Sequence, residues 1–141
     1  MASEDTIRWH WLRAVYILTI VVAGGFGLGM LVAPMRIQSV LGMPAQDAVT
    51  FGLNGSIFLA LGLAAIGGIR APLKYCPILV VELAYKLIWL LAVIVPLALE
   101  GRFPAWAGVQ VAIFVVFIVC DLVAIPFRYV FGHDIALREV S

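Results

Sequence analysis

The chain has 141 residues, of which 65% are hydrophobic and 12% are charged, and its formal net charge is +1. A mean hydropathy of +1.13 lies far outside the range of soluble globular domains and predicts an integral membrane protein. The near-neutral charge, without a cluster of lysine and arginine, argues against nucleic acid as a partner. Cys76 and Cys120 are far apart in or beside hydrophobic runs, so neither a metal site nor a disulfide framework is predicted.

The first predicted element is a transmembrane helix over about 14–33. It follows a segment with tryptophan and arginine at positions 8–13, residue types that suit a membrane interface. The apolar run is long enough to cross a hydrocarbon core of about 30 Å at about 1.5 Å per residue, and Pro34 ends it. A cleavable signal peptide is the competing interpretation, but the run is too long and no A-x-A site follows it.

Three further spans are predicted along the rest of the chain. A less apolar connection comes first, and its portion 35–41 is amphipathic enough for a short surface helix. The spans then cover about 49–69, 77–99 and 105–127. Pro77 is well placed to open the third span, and Pro96 to bend its far end. Short connections force sequence neighbours to run in opposite directions, so we predict a single all-α domain, an antiparallel four-helix bundle.

The lysine and arginine residues predict the orientation of this bundle. Six lie beside the ends of the spans that share the side of the N-terminus: Arg8, Arg13, Arg70, Lys74, Arg128 and Arg138. Arg36 and Arg102 lie on the other side. Because cytoplasmic loops carry the excess of positive charge, both termini are predicted to be cytoplasmic.

Two ionisable residues stand inside the third span and one inside the fourth. Glu82 and Lys86 are spaced i, i+4 with the acid first, the better order for a helical ion pair, and Tyr85 and Trp89 lie on or beside the same face. Asp121 falls at a depth similar to that of Glu82. The three charges form either a packing knot that fixes the helices or the polar wall of a ligand site, since intramembrane charges are functional candidates by default.

A second polar layer is predicted nearer the other membrane surface. Asn54 and Gln110 each lie about five residues inside a span, at the end away from the three charges. Both side chains are uncharged.

Four glycines in the first two spans are predicted to serve helix packing: Gly25, Gly29, Gly55 and Gly62. Small residues allow helices to approach closely in lipid, where apolar side chains alone give no drive to associate. Whether they face a neighbouring helix or a second copy of the chain is left open.

Motifs for catalysis are missing from the sequence. No G-x-S-x-G, H-E-x-x-H or phosphate-binding glycine loop occurs, which weighs against an enzyme. His10 and His133 both fall at the predicted cytoplasmic interface, where solvated histidines are more common than metal or haem ligands.

The sequence resembles one known group of membrane proteins. Four short spans, a first helix ending in GLGMLVAP and a second built on FGLNGSIFLALGLAAI are similar to the small bacterial proteins of the DoxX-like superfamily. The resemblance covers about residues 14–127. It implies a multi-pass protein of the bacterial inner membrane, and relatives include subunits of quinone-linked oxidoreductases and accessory proteins. It carries no agreed catalytic residue.

Two functions follow as expectations. The first is an accessory or subunit-type membrane protein that packs on a larger complex, such as a quinone-linked enzyme, or on a second copy. The second is a binder or transporter of a small hydrophobic molecule, with Tyr85, Lys86 and Asp121 at the polar end of a pocket. The ligand or cofactor is left open between a quinone and a lipid.

Overall fold

The computed structural model describes residues 7–138, and of residues 133–138 the backbone alone. In chain order the helices of this part are α1 (Trp9–Val32), α2 (Pro34–Val40), α3 (Ala48–Arg70), α4 (Pro72–Leu99), α5 (Ala107–Ala124) and α6 (Phe127–Arg138). All regular secondary structure in the described residues is helical. Four helices, α1, α3, α4 and α5, are long and apolar enough to cross a membrane. The predicted all-α class with four membrane-length helices is confirmed, and the chain is a multi-pass membrane protein.

The observed start of α4 and the observed end of α5 differ from the predicted ends of the third and fourth spans, and a proline lies beside each of them. α4 begins at Pro72, five residues before Pro77, because a proline at the first helical position loses no hydrogen bond there. At the same end of the bundle α5 stops at Ala124, since Ile125 precedes Pro126 and takes the extended backbone that a following proline favours. The residues after Pro126 form a further helix, α6, which starts at Phe127.

Two spans contain a wide, π-helical turn. In α1 it covers Thr19–Gly24, and in α4 it covers Leu90–Ile94. The second turn comes just before Pro96, whose ring displaces the carbonyl of the preceding turn and removes a backbone donor. Pro96 therefore perturbs α4 locally without ending it.

Contacts between the four spans follow the order α1, α3, α4, α5 and return to α1. α3 packs along the whole of α1 and also contacts α4. α5 contacts α4 and the beginning of α1, Trp9–Leu18. The rest of α1 packs mainly on α3. The bundle is consequently closed on all sides at one end and wider at the other.

Backbone contact between glycines joins α1 to α3. A Cβ atom on Gly62 would lie 2.5 Å from the Cα atom of Gly24, and one on Gly27 would overlap the backbone nitrogen of Leu59 and lie 2.7 Å from the carbonyl oxygen of Gly55. No side chain fits at these positions. The close approach of the two helices therefore depends on glycine at both levels.

The four glycines singled out in the sequence divide into two groups. Gly55 and Gly62 lie in the α1–α3 contact, opposite Gly27 and Gly24. Gly25 has open space where a Cβ atom would be. Gly29 faces the side chain of Ile37 on α2, not a span. The rotation of α1 therefore turns Gly24 and Gly27 toward α3, instead of the predicted pair Gly25 and Gly29.

The closed end of the bundle holds the densest core. Its buried side chains come from the beginning of α1 and α4 and the end of α3 and α5, and include Leu12, Tyr16, Ala65, Cys76, Leu79 and Ile118. The hydroxyl of Tyr16 donates to the carbonyl oxygen of Pro72 at 2.6 Å, so the one polar atom of this side chain is satisfied. This core, which we call the packed half, ends at the level of Thr19 and Glu82.

Candidate ligand cavity and its buried ion pair

Beyond the packed half the four spans line a partly open cavity of about 540 Å³. This volume lies within the range of about 300–1,000 Å³ that is usual for small-molecule sites. Its walls are mainly apolar, and eight aromatic side chains line it: Phe26, Phe51, Phe58, Tyr85, Trp89, Trp106, Phe114 and Phe117. The hollow half of the bundle is therefore shaped for an apolar guest with flat surfaces.

Glu82 and Lys86 form the inner end of the cavity, where it meets the packed half. The Nζ atom of Lys86 lies 2.7 Å from Oε1 of Glu82, as expected for residues one helical turn apart. Thr19, at the start of the π-helical turn of α1, donates its hydroxyl to Oε2 of Glu82 at 2.8 Å. All three residues are buried. Both oxygens of the carboxylate consequently have a donor.

Three aromatic rings surround the ammonium group of Lys86. Its Nζ atom is 4.4 Å from the ring centre of Phe117, 4.8 Å from that of Tyr85 and 5.6 Å from that of Phe114. The electron-rich faces of aromatic rings attract a cation at these distances. The charge of Lys86 is thus compensated by one carboxylate and by ring faces, with Glu82 its hydrogen-bond acceptor among the described residues.

Asp121 lies in α5, one turn beyond Phe117, and is completely buried. Neither of its carboxyl oxygens has a hydrogen-bond partner within residues 7–132. It interacts electrostatically with Glu82 and Lys86, yet it does not line the cavity. The three predicted charges are therefore close to one another, and the hydrogen-bonded ion pair among them joins Glu82 and Lys86.

Aromatic contacts link the inner end to the cavity walls. The ring of Tyr85 lies 6.2 Å from Phe58 on α3 and 5.9 Å from Phe114 on α5, and Trp89 lies 5.1 Å from Phe114. These are the separations of tilted and edge-to-face ring pairs. Tyr85, Trp89 and Phe114 therefore hold the walls in place as well as lining them.

The outer end of the cavity lies beneath α2 and the connection to α3. Ile37, Met43 and Gln46 contribute to its lining, and the buried amide of Gln38 accepts from the backbone N–H of Gln46 at 3.1 Å. Asn54 and Gln110, the predicted second polar layer, line the cavity as well. Polar groups thus stand near both ends of the cavity, with aromatic walls between them.

Asp47 fixes the start of α3 at this outer end. Its Oδ2 atom accepts from the backbone N–H and from the hydroxyl of Thr50, both at 2.8 Å. These donors, the backbone N–H first, hold the pKa of Asp47 below its ordinary value. The carboxylate is a helix N-cap, and it keeps Thr50 in position at the rim of the cavity.

Several site residues could not be named from the sequence. Thr19 gave no signal, because a lone threonine in an apolar run is common in a membrane helix. Phe26 and Phe58 stand in apolar runs that reveal nothing of which face turns inward. Of the two histidines, His10 is exposed, and the side chain of His133 lies outside the described residues.

Comparison of the chain with protein-family models, with curated proteins and with solved structures found no match. Within the described residues, no group of three or more histidine, cysteine and acidic side chains is placed to hold a metal ion. The cavity and the ion pair at its inner end are the features from which a function can be inferred.

Proposed function

We propose that the protein binds a small, mostly apolar molecule inside the membrane, in the cavity that Glu82 and Lys86 close at its inner end. One observation carries the proposal: a cavity of about 540 Å³ directly adjoins the buried ion pair. Unfilled volume costs stability because the atoms around it lose contacts. If Glu82 and Lys86 served only to fix the packing of the helices, the cavity beside them would lower stability without any function.

The composition of the cavity supports the same conclusion. Ligand sites are mostly apolar, with a few polar groups that orient the guest. Here the polar groups are Lys86 at the inner end and the amides of Asn54 and Gln110 further out. Binding at this depth agrees with the general role of ionisable residues within membrane spans.

The alternative is an accessory subunit that packs on a larger membrane complex, such as a quinone-linked enzyme, or on a second copy of the chain. This alternative rests on the small-residue stripes of the spans, on the lack of catalytic motifs in the sequence and on its resemblance to the DoxX-like superfamily. It gives no account of the cavity. We therefore keep it as the interpretation that would follow if the cavity proved to hold nothing.

We further propose that the spans form an antiparallel bundle in the bacterial inner membrane with both termini cytoplasmic. The six-to-two distribution of lysine and arginine supports this orientation. It would direct the packed half toward the cytoplasm. In a chain whose native cysteines are replaced by alanine, a thiol reagent that does not cross membranes should label Arg102→Cys from outside intact cells but leave Arg70→Cys unlabelled. The reverse pattern would invert the orientation.

Native mass spectrometry of the protein, extracted from its membrane in mild detergent, tests the binding function. Ile113 lines the cavity, whereas Val116 on the same helix is 56% exposed on the outer surface. We expect the wild type and Val116→Trp to carry a small molecule and Ile113→Trp to lose it. A bare wild-type chain, or retention that Ile113→Trp leaves unchanged, would overturn the proposal. A wild-type chain that carries no small molecule but retains a protein partner would favour the accessory subunit.

A further inference from the structure

Hydrogen bonding at the inner end of the cavity is unequal between the two partners of the ion pair. Each oxygen of Glu82 already accepts a hydrogen bond, Oε1 from Lys86 and Oε2 from Thr19. An ammonium group has three N–H donors, and Glu82 takes one of those of Lys86. Both side chains are almost completely buried, and both line the cavity. The polar group offered to a guest is therefore a donor.

The charges around this donor limit the charge of the guest. Glu82 and Lys86 cancel each other, and the buried carboxyl of Asp121 interacts with both. An anion would add a negative charge beside two acidic side chains in a medium of low dielectric constant. A cation would meet the ammonium of Lys86, which already occupies the faces of Phe117 and Tyr85. A neutral guest avoids both penalties.

The walls limit its shape. Phe26, Phe51, Phe58 and Phe114 line the cavity between its two ends, and aromatic side chains favour offset or edge-on contact with flat rings. A flat, unsaturated body can contact several of these rings together. A saturated, branched body of equal volume would contact them less completely.

Resting on the proposed binding function, we propose that the guest is a neutral molecule with a flat, unsaturated body that ends in a carbonyl oxygen. The oxygen accepts a hydrogen bond from Lys86, and the body lies between the aromatic walls. Lys86 is then a specificity-determining residue, since it selects an acceptor over a donor and a neutral group over a charged one. The amides of Asn54 and Gln110 remain beside the outer part of the guest.

Four probes with one ring system separate these requirements: acetylpyrene, pyrene, pyrenemethylammonium and pyrenecarboxylate. Each is titrated into the full-length protein in mild detergent, and the bound fraction is read by native mass spectrometry, with Ile113→Trp as the blocked cavity. A hydrogen bond donated by a charged group is stronger than one between neutral groups. We therefore expect acetylpyrene to bind at least about tenfold more tightly than pyrene, and both charged probes to bind less tightly than acetylpyrene.

Variants then assign the preference to Lys86. Lys86→Met alone leaves Glu82 buried without its cation and destabilises the fold. The paired variant Glu82→Leu/Lys86→Met removes both charges and is therefore used in its place. We expect it to bind acetylpyrene and pyrene with equal affinity, because the donor is gone and the walls are intact. A tenfold preference for acetylpyrene that survives in the paired variant would overturn the assignment.

The outcomes separate this inference from the function on which it rests. Saturable binding of pyrene and acetylpyrene with equal affinity in the wild type, or tightest binding of a charged probe, would refute the neutral acceptor and leave the binding cavity standing. Binding that Ile113→Trp does not reduce would place the probes elsewhere and refute the inference. Failure of every probe, with a wild-type chain that carries no molecule of its own, would refute the binding function itself.

Discussion

Replacing Lys86 with methionine removes the cation of the buried ion pair and leaves two acidic side chains, Glu82 and Asp121, near each other in the bundle interior. Breaking a buried pair in this way costs about 3–5 kcal/mol, because an uncompensated charge stays behind. Glu82→Leu removes the other partner. It leaves Lys86 near the carboxyl of Asp121, so we expect a smaller loss than for Lys86→Met.

The paired variant Glu82→Leu/Lys86→Met should behave differently from either single one. It removes both charges and replaces them with apolar side chains of similar size, a change that is often neutral or stabilising by about 1–4 kcal/mol. The coupling free energy, the double loss minus the sum of the single losses, should then have a magnitude of at least about 3 kcal/mol. Reversible unfolding in mixed micelles, with increasing denaturing detergent, measures all four chains.

One outcome would refute this account of the ion pair. If the paired variant lost as much stability as the two single variants together, the two side chains would act independently. The 2.7 Å contact would then contribute no net free energy, and the cost of burial would have to be met by other groups.

Three further predictions concern residues away from the ion pair. Gly27→Ala should destabilise the protein by about 1–3 kcal/mol, because its Cβ atom meets the backbone of α3, whereas Gly25→Ala, with open space around it, should be nearly neutral. Tyr16→Phe loses the hydrogen bond to Pro72 and should cost roughly 0.6–1.7 kcal/mol, as measured for hydrogen bonds between membrane helices. The pKa of Asp47 is lowered from its ordinary 3.8. Its cap therefore stabilises α3 above about pH 4, and this stabilisation is lost as the pH falls through the lowered pKa of the folded state. Asp47→Asn should remove this acid dependence of the melting temperature.

Each of these predictions has a result that would contradict it. Equal losses for Gly27→Ala and Gly25→Ala would mean that the backbone contact of α1 and α3 is not a tight one. An unchanged stability of Tyr16→Phe would assign the role of Tyr16 to its ring, which lies over Gly68. A melting temperature of Asp47→Asn that falls with acid as steeply as that of the wild type would point to another titrating group.

The four spans could be predicted from the sequence because apolar length alone decides whether a helix crosses a bilayer. The start of α4 could not. Pro72 and Pro77 are both acceptable in the first turn of a helix, and hydropathy favours the later one because Lys74 lies between them. The packing of Pro72 under Tyr16, a contact between residues 56 positions apart in sequence, settles the start.

The candidate site was predictable only in part, for a similar reason. A spacing of four residues placed Glu82 and Lys86 on one helix face without knowledge of any other helix. The contact of Thr19 with Glu82 and the separate position of Asp121 depend on how α1 and α5 are rotated. The cavity depends on which apolar faces remain apart, and a run of apolar residues does not encode that.

The glycine contact between α1 and α3 has a consequence for how the chain assembles. Both spans precede α4 in the chain, and their contact is made by backbone atoms of Gly24, Gly27 and Gly62 that need no later helix. Thr19 lies one turn before this contact and is therefore already held in place. When α4 follows into the bilayer, the carboxylate of Glu82, already beside Lys86 on its own helix, meets a second donor, the hydroxyl of Thr19, on a preformed surface.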